Sequence, residues 1–117
     1  KSGTSFVRDR GFRTTRGIVD FEVLSAKKGA WLAITSTTPE DPKKPQRLLL
    51  ASSKNGLNWK INRKSLTPSS MSYLDPTGIR IGPRKYRIYY SKAPNVLGDR
   101  AYALEQGVLT IKKKKRR

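Results

Sequence analysis

Residues 20–36 read DFEVLSAKKGAWLAITS, and residues 75–91 read DPTGIRIGPRKYRIYYS. The two stretches align without a gap at an offset of 55 residues, which places Asp20 over Asp75 and Ser36 over Ser91. In each copy an Asp opens a first run, a short turn follows, and a second run begins with an aromatic residue and ends in Ser. This repeat of strand, turn and strand predicts two similar β units.

The rest of the chain also consists of short β-branched and aromatic runs separated by Gly, Pro, Asn and Ser, a pattern typical of strands. No segment shows a sustained helical period. We predict turns at Lys28-Gly29, Asn55-Gly56 and Gly82-Pro83. The predicted strands are Ser5–Val7, Gly11–Thr15, Ile18–Leu24, Ala30–Ser36, Arg47–Ser52, Trp59–Asn62, Gly78–Gly82, Lys85–Ser91, Arg100–Leu104 and Val108–Ile111.

The expected fold class is all-β, with short antiparallel strands and hairpins in one domain over residues 1–111. A third strand follows each copy of the repeat, so the two units cover about 18–62 and 73–111. Such units of strand and hairpin are typical of propeller blades. Residues 112–117 read KKKKRR and are expected to form a flexible basic tail.

The third strand of the first unit leads into SSKNGLNW at residues 52–59. This stretch resembles the Asp-box of sialidases and related sugar-active propellers, S-x-D-x-G-x-x-W. Ser52, Gly56 and Trp59 match the motif, while Lys54 stands at the position of its Asp and Asn55 is the next residue. The resemblance implies a folding motif, in which Gly supplies a positive φ and Trp packs the base of the blade.

The second unit is similar to the D-P-x-x-x-R and Y-R-x-Y-Y-S blade of five-bladed glycoside hydrolases and sialidase-like proteins. That resemblance covers roughly residues 18–111 and implies that Asp20 and Asp75 face a sugar pocket. The second unit lacks an Asp-box, because Glu105-Gln106-Gly107 is expected to follow its third strand with no Trp behind it. Two blades are too few to close a propeller, which needs about four to eight. The chain is then a fragment of a longer propeller, a self-assembling half, or a different small β fold.

Charge is the outlying property of the composition. The chain has 26 Lys and Arg against 8 Asp and Glu, a formal net charge of +18. A surface this positive concentrates anions and speeds their association, so nucleic acid or another polyanion is the expected partner. We favour RNA over DNA, bound in a ribonucleoprotein without catalysis. The alternative is a piece of a carbohydrate-active, sialidase-like propeller.

Candidate nucleic-acid contacts are the basic residues of the N-terminal segment, the Pro-rich loop, the second repeat and the tail. On the strand after Gly82-Pro83, the period of two places Tyr86, Ile88 and Tyr90 on one face and an Arg and a Tyr on the other. The full candidate set is Arg8, Arg10, Arg13, Arg16, Lys43, Lys44, Arg84, Lys85, Arg87, Tyr89, Lys112, Lys113, Lys114, Lys115, Arg116 and Arg117.

The sequence contains no Cys and no His, which excludes disulfides, thiolate metal sites and Ser-His or Cys-His nucleophiles. We expect no metal and no cofactor, and no working active site within the 117 residues. No apolar run approaches the length of a membrane span. The chain begins at Lys1 instead of Met, so we expect it to be processed or cut from something longer. An intracellular location follows from nucleic-acid binding, and an extracellular one from the propeller interpretation.

Overall fold

The structure is a computed structural model that describes residues 3–11, 13–14, 17–39, 44–94 and 101–114. The described residues contain strands and no helix, so the all-β prediction is confirmed. The seven strands are β1 Ile18–Lys27, β2 Ala30–Thr37, β3 Leu48–Ser53, β4 Lys60–Ile61, β5 Ser72–Gly82, β6 Lys85–Ala93 and β7 Ala103–Thr110. They form two antiparallel sheets, a first sheet in the order β1-β2-β3-β4 and a second in the order β5-β6-β7.

The repeat in the sequence is also present in the strands. Ala30 and Leu48 begin β2 and β3, and the residues 55 positions later, Lys85 and Ala103, begin β6 and β7. The first strand of each sheet also shifts register within one residue of the corresponding place, after Ile18 in β1 and after Leu74 in β5. Such a bulge re-aims the side chains of the residues it contains. The two units are therefore built on one plan.

The end of the second unit differs from the sequence prediction. One unbroken strand, β7, covers Glu105-Gln106-Gly107, so the predicted break there between the strands Arg100–Leu104 and Val108–Ile111 is wrong; Arg100 lies outside the described residues. Gly107 pairs with Ile88 inside the ladder. Glycine is a poor strand residue by propensity, but pairing with a neighbouring strand overrides that weak preference.

Three further strand predictions were too long or wrong. Ser5–Val7 is not a strand, and Trp59–Asn62 shortens to β4, Lys60–Ile61. In the predicted strand Gly11–Thr15, the described residues 11, 13 and 14 lie outside strands. The N-terminal segment contains Phe6 at 91% exposure, so its hydrophobic residues gain no burial that would fix an extended strand.

The two sheets pack against each other through one apolar cluster. Its buried members are Ile34 and Leu48 from the first sheet and Tyr73, Tyr86 and Ile88 from the second. Burial of this cluster is the main force that holds the two sheets together.

Gly78 lets the sheets approach closely at the centre of this contact. A Cβ on Gly78 would lie 2.5 Å from Leu24 Cδ2 of the first sheet and 2.7 Å from Ile88 Cδ1 of the second. Such distances are far inside van der Waals contact. A side chain on β5 at this point would therefore force Leu24 or Ile88 to move.

Candidate anion-binding groove

The two sheets are bonded together near the start of their first strands. Asp20 lies in the bulge of β1, and its Oδ2 accepts a hydrogen bond from the backbone N–H of Asp75 at 3.0 Å and another from Ser36 Oγ. A second link is made by Gln46, whose backbone N–H donates to Ser72 Oγ at 3.1 Å. These bonds fix the relative position of the sheets at this end.

At the opposite end, where the hairpin turns lie, the sheets leave an open groove of about 1020 Å³. It is lined by the β1–β2 turn, the β5–β6 turn, the segment around the turn after β3 and the chain after β7. The strand from Asp20 to Lys27 spans about 23 Å. The carboxylates at the joined end are therefore far from the groove.

Seven cationic side chains line the groove. The first sheet and its turns contribute Lys27, Lys54 and Lys60, the second sheet contributes Arg80 and Arg84, and the chain after β7 contributes Lys113 and Lys114. Among the described residues that line it there is no Asp or Glu. The ion pair found within the described residues, Lys92 to Glu105 at 3.4 Å, lies elsewhere. A cleft lined by one sign of charge focuses the field and attracts anions.

The β5–β6 turn holds the second sheet's cations in place. Arg84 has a φ of 55°, and its carbonyl accepts a hydrogen bond at 2.9 Å from the N–H of Ile111, just after β7. This bond brings the start of the basic tail to the turn, so Lys113 and Lys114 reach the groove. The Nε of Arg80 donates to the carbonyl of Gly82 at 3.3 Å, which ties that guanidinium to the same turn.

The turn after β3 is closed by its own side chains. Ser53 Oγ accepts a hydrogen bond from the N–H of Gly56 at 2.9 Å, and Asn55 Oδ1 accepts two further backbone N–H groups at 2.9 and 3.0 Å. Trp59 Nε1 donates to the carbonyl of Gly56 at 3.0 Å. The hydroxyl that ties this turn belongs to the buried Ser53, while Ser52 is exposed. The rigid turn presents Lys54 to the groove.

The structure brings only part of the predicted nucleic-acid residues together. Arg84, Lys113 and Lys114 line the groove. Lys85 and Lys112 are exposed next to them in sequence, whereas Arg87 and Tyr89 are half-buried and do not line it. Exposed and outside any strand are Arg8, Arg10, Arg13 and Lys44. The predicted residues Arg16, Lys43, Lys115, Arg116 and Arg117 lie outside the described residues.

Four groove residues were not among the predicted contacts: Lys27, Lys54, Lys60 and Arg80. The repeat contained a signal for the first of them. An offset of 55 places the Lys28-Gly29 turn, which follows Lys27, over Pro83-Arg84, and equivalent turns of two packed units lie at the same end of the molecule. For Lys54 and Lys60 the sequence carries no comparable signal, because a strand pattern does not say which sheet lies opposite.

The predicted sugar-facing residues, Asp20 and Asp75, are brought together at the joined end. Asp75 is exposed at a φ of 51°. Partial desolvation, the negative charge of Asp20 and a hydrogen bond between the two side chains raise the pKa of the Asp75 carboxyl above its ordinary value of 3.8. The Asp20 carboxylate accepts hydrogen bonds from the Ser36 hydroxyl and from the backbone N–H of Asp75, so its observed role is to join the sheets.

Comparison of the chain with protein-family models, with curated proteins and with solved structures gave no match. Within the described ranges, no group of three or more Asp or Glu side chains is arranged to hold a metal ion. Those ranges likewise form no helix with the length and apolarity that a membrane crossing requires. The charge and shape of the groove are therefore the basis for a function.

Proposed function

We propose that this protein binds RNA, without catalysis, in the groove between its two sheets. The observation that carries the proposal is the lining of the groove, in which seven Lys and Arg side chains and no described carboxylate surround about 1020 Å³. Binding neutralises phosphates and releases their counterions, which supplies affinity with little sequence selectivity. A ribonucleoprotein is a natural setting for such a protein.

Two features of the groove favour a nucleic acid over a simple anion. First, the cations come from four separate segments, so an extended chain of phosphates can contact several of them at once. Second, the half-buried Trp31 also lines the groove and offers aromatic surface to bases. RNA is preferred to DNA because proteins commonly recognise RNA through unpaired bases, which can enter a groove.

The test is fluorescence anisotropy with a labelled 20-nucleotide RNA across a NaCl series. For a single strand, the logarithm of the binding constant falls by about 0.7 per phosphate contact for each tenfold rise in salt. We expect a steep fall for the native chain. Binding that is insensitive to salt would contradict the proposal.

A matched pair of variants separates the groove from overall charge. Lys60→Gln with Arg84→Gln removes two groove cations, whereas Lys64→Gln with Arg63→Gln removes one Lys and one Arg from an exposed segment outside the groove. The groove variant is expected to lose about 25-fold in affinity at 0.1 M salt. Each lost phosphate contact lowers the logarithm of the binding constant by about 0.7 at this salt concentration, which is tenfold below 1 M, and the variant loses two contacts. Equal losses in both variants would mean that the net charge, not the groove, binds RNA.

The same titration with single-stranded DNA and with heparin tests the class of ligand. Tighter binding of RNA supports the proposal. If heparin binds tighter than either nucleic acid, an acidic polysaccharide replaces RNA as the ligand of the groove.

A second candidate is a sugar-binding function as part of a sialidase-like propeller. The observation that favours it is the meeting of Asp20 and Asp75 in equivalent bulges of two adjacent units. Carboxylates in paired positions are used in sugar chemistry. Calorimetric titration with neutral oligosaccharides tests it: binding that persists at high salt and is lost in Asp75→Asn supports this candidate, and no detectable binding removes it.

A further inference from the structure

Within the described part of the chain, one face of the second sheet has no element packed on it. Tyr86 and Ile88 of β6 point to the first sheet, and Arg87, between them, points away. Arg87 pairs in register with Ile79 of β5 and Val108 of β7, which are 61% and 53% exposed. A row with two exposed hydrophobic residues therefore crosses the centre of this outer face.

The repeat shows what this outer face corresponds to. The residues 55 positions before Ile79 and Tyr89 are Leu24 and Ile34. Ile34 belongs to the apolar cluster between the sheets, and Leu24 packs against it. The second sheet thus exposes the face that the first sheet buries.

The first sheet shows the reciprocal situation. The counterpart of Gly78, at the centre of the contact between the sheets, is Val23 of β1, which is 42% exposed. Phe21 beside it is 40% exposed and packs edge-on against Trp59, with ring centroids 4.9 Å apart. The first sheet thus exposes a hydrophobic and aromatic counterpart of the face that the second sheet buries.

We infer that the outer face of the second sheet binds the outer face of the first sheet in a second copy of this chain. The contact repeats, between chains, the relation that packs the two sheets within one chain. It is head to tail, because the two surfaces are different, and such contacts build rings or open filaments. In this contact the Asp75 carboxylate accepts a hydrogen bond from the backbone N–H of Asp20 in the second copy. Within one chain, the Asp20 carboxylate accepts the equivalent hydrogen bond from the backbone N–H of Asp75.

A second copy is the occupant that the molecule itself indicates, since each exposed face has its complement on the same chain. The net charge of +18 opposes association of two copies. Salt screens this repulsion, because the Debye length falls from about 10 Å at 0.1 M to about 3 Å at 1 M. Self-association therefore grows with salt, the reverse of the salt dependence expected for RNA binding.

The experiment is analytical ultracentrifugation of the purified chain at 0.1 and 0.5 M NaCl over a hundredfold range of concentration. We expect association that increases with concentration and is stronger at 0.5 M NaCl. A chain that stays monomeric throughout would overturn the inference.

Two variants and their mixture test the head-to-tail geometry. Ile79→Lys blocks the outer face of the second sheet, and Val23→Lys blocks that of the first. Each variant alone is expected to remain monomeric. Their equimolar mixture is expected to form a dimer, because it retains one intact copy of each face. Association of either variant alone, or a mixture that stays monomeric, contradicts a head-to-tail contact.

Leu57→Lys is the matched control, since it adds the same charge at an exposed residue (47%) in the turn after β3. It is expected to associate like the native chain, and a monomeric Leu57→Lys would attribute the effect to charge alone. Circular dichroism checks that all three variants are folded. The inference is independent of RNA binding, because Ile79→Lys leaves the groove intact and is expected to bind RNA as tightly as the native chain.

Discussion

The two sheets follow the same plan, and they differ in how their outer faces are finished. In the first sheet the turn after β3 leads to Trp59, whose ring packs against Phe21 at 4.9 Å and Trp31 at 6.3 Å, and then to a fourth strand. In the described part of the second sheet there are three strands, and Ile79 and Val108 lie exposed. The turn after β3 thus gives the first sheet a cluster of packed aromatic rings on its outer face, which the described part of the second sheet lacks.

This difference suggests separate roles for the two ends of the units. The bulges and Asp residues at the joined end are repeated in both sheets and hold them in a fixed relation. The turns at the opposite end are where the units diverge in sequence, and there they carry the cations of the groove. The scaffold is repeated, whereas the cations that line the groove differ from turn to turn.

The largest expected effect comes from removing the aromatic layer of the first sheet. Trp59→Ala removes the ring that packs on Phe21 and Trp31 and the hydrogen bond to Gly56. We expect a loss of about 3 kcal/mol in the free energy of unfolding, measured by urea denaturation. Trp59→Phe keeps an aromatic ring and is expected to lose only about 1 kcal/mol. Equal losses would mean that the hydrogen bond, not the ring, completes the first sheet.

An intermediate effect is expected where the two sheets touch. Gly78→Ala places a methyl group 2.5 Å from Leu24 Cδ2 and 2.7 Å from Ile88 Cδ1, so both side chains must move. We expect a loss of about 1.5 kcal/mol in the free energy of unfolding. The control is Gly107→Ala on β7, whose new Cβ would meet its nearest neighbour, Tyr90 Cε1, at 3.9 Å.

Gly107→Ala is expected to be neutral or to stabilise by up to about 0.5 kcal/mol, because alanine reduces the entropy of the unfolded chain. A Gly78→Ala variant as stable as this control would show that the sheets are not packed as closely as described here.

The smallest expected effect concerns the carboxylates that meet at the joined end. The folded protein raises the pKa of Asp75 above 3.8, so the folded state binds this proton more tightly than the unfolded chain. The contribution to stability is therefore present at low pH and lost as the pH rises through the folded pKa. At pH 7 the charged Asp75 carboxylate therefore lowers the free energy of unfolding. Asp75→Asn removes this charge, and we expect the melting temperature of the variant at pH 7 to exceed that of the native chain by no more than about 2 °C, because the group is exposed.

The gain in Asp75→Asn should shrink below pH 3.8, which thermal unfolding at pH 7 and at pH 3.5 can measure. Asparagine also tolerates the positive φ at this position, and that part of the gain does not depend on pH. A difference that is equal at both pH values would assign the whole effect to the backbone.

The sequence repeat predicted much of the fold. The Gly-containing dipeptides located the turns at Lys28-Gly29 and Asn55-Gly56, and Gly82-Pro83 lies within one residue of the observed turn at Pro83-Arg84. The bulges that contain Asp20 and Asp75 were not predicted. The prediction failed at Gly107, because a residue with low strand propensity was held in place by pairing with β6. Of the cations that line the groove, the sequence analysis identified Arg84 at the β5–β6 turn and Lys113 and Lys114 after β7.

The sequence by itself determined an all-β chain of two equivalent units with a large excess of positive charge, because strand period, turn residues and charge are local properties of the chain. Only the tertiary structure decided which cations share a surface. The groove exists because two sheets, bonded at Asp20 and Asp75, open at their turns, and that depends on packing between residues far apart in sequence. The expectation of an anionic partner came from composition, and the place to look for it came from the contact between the sheets.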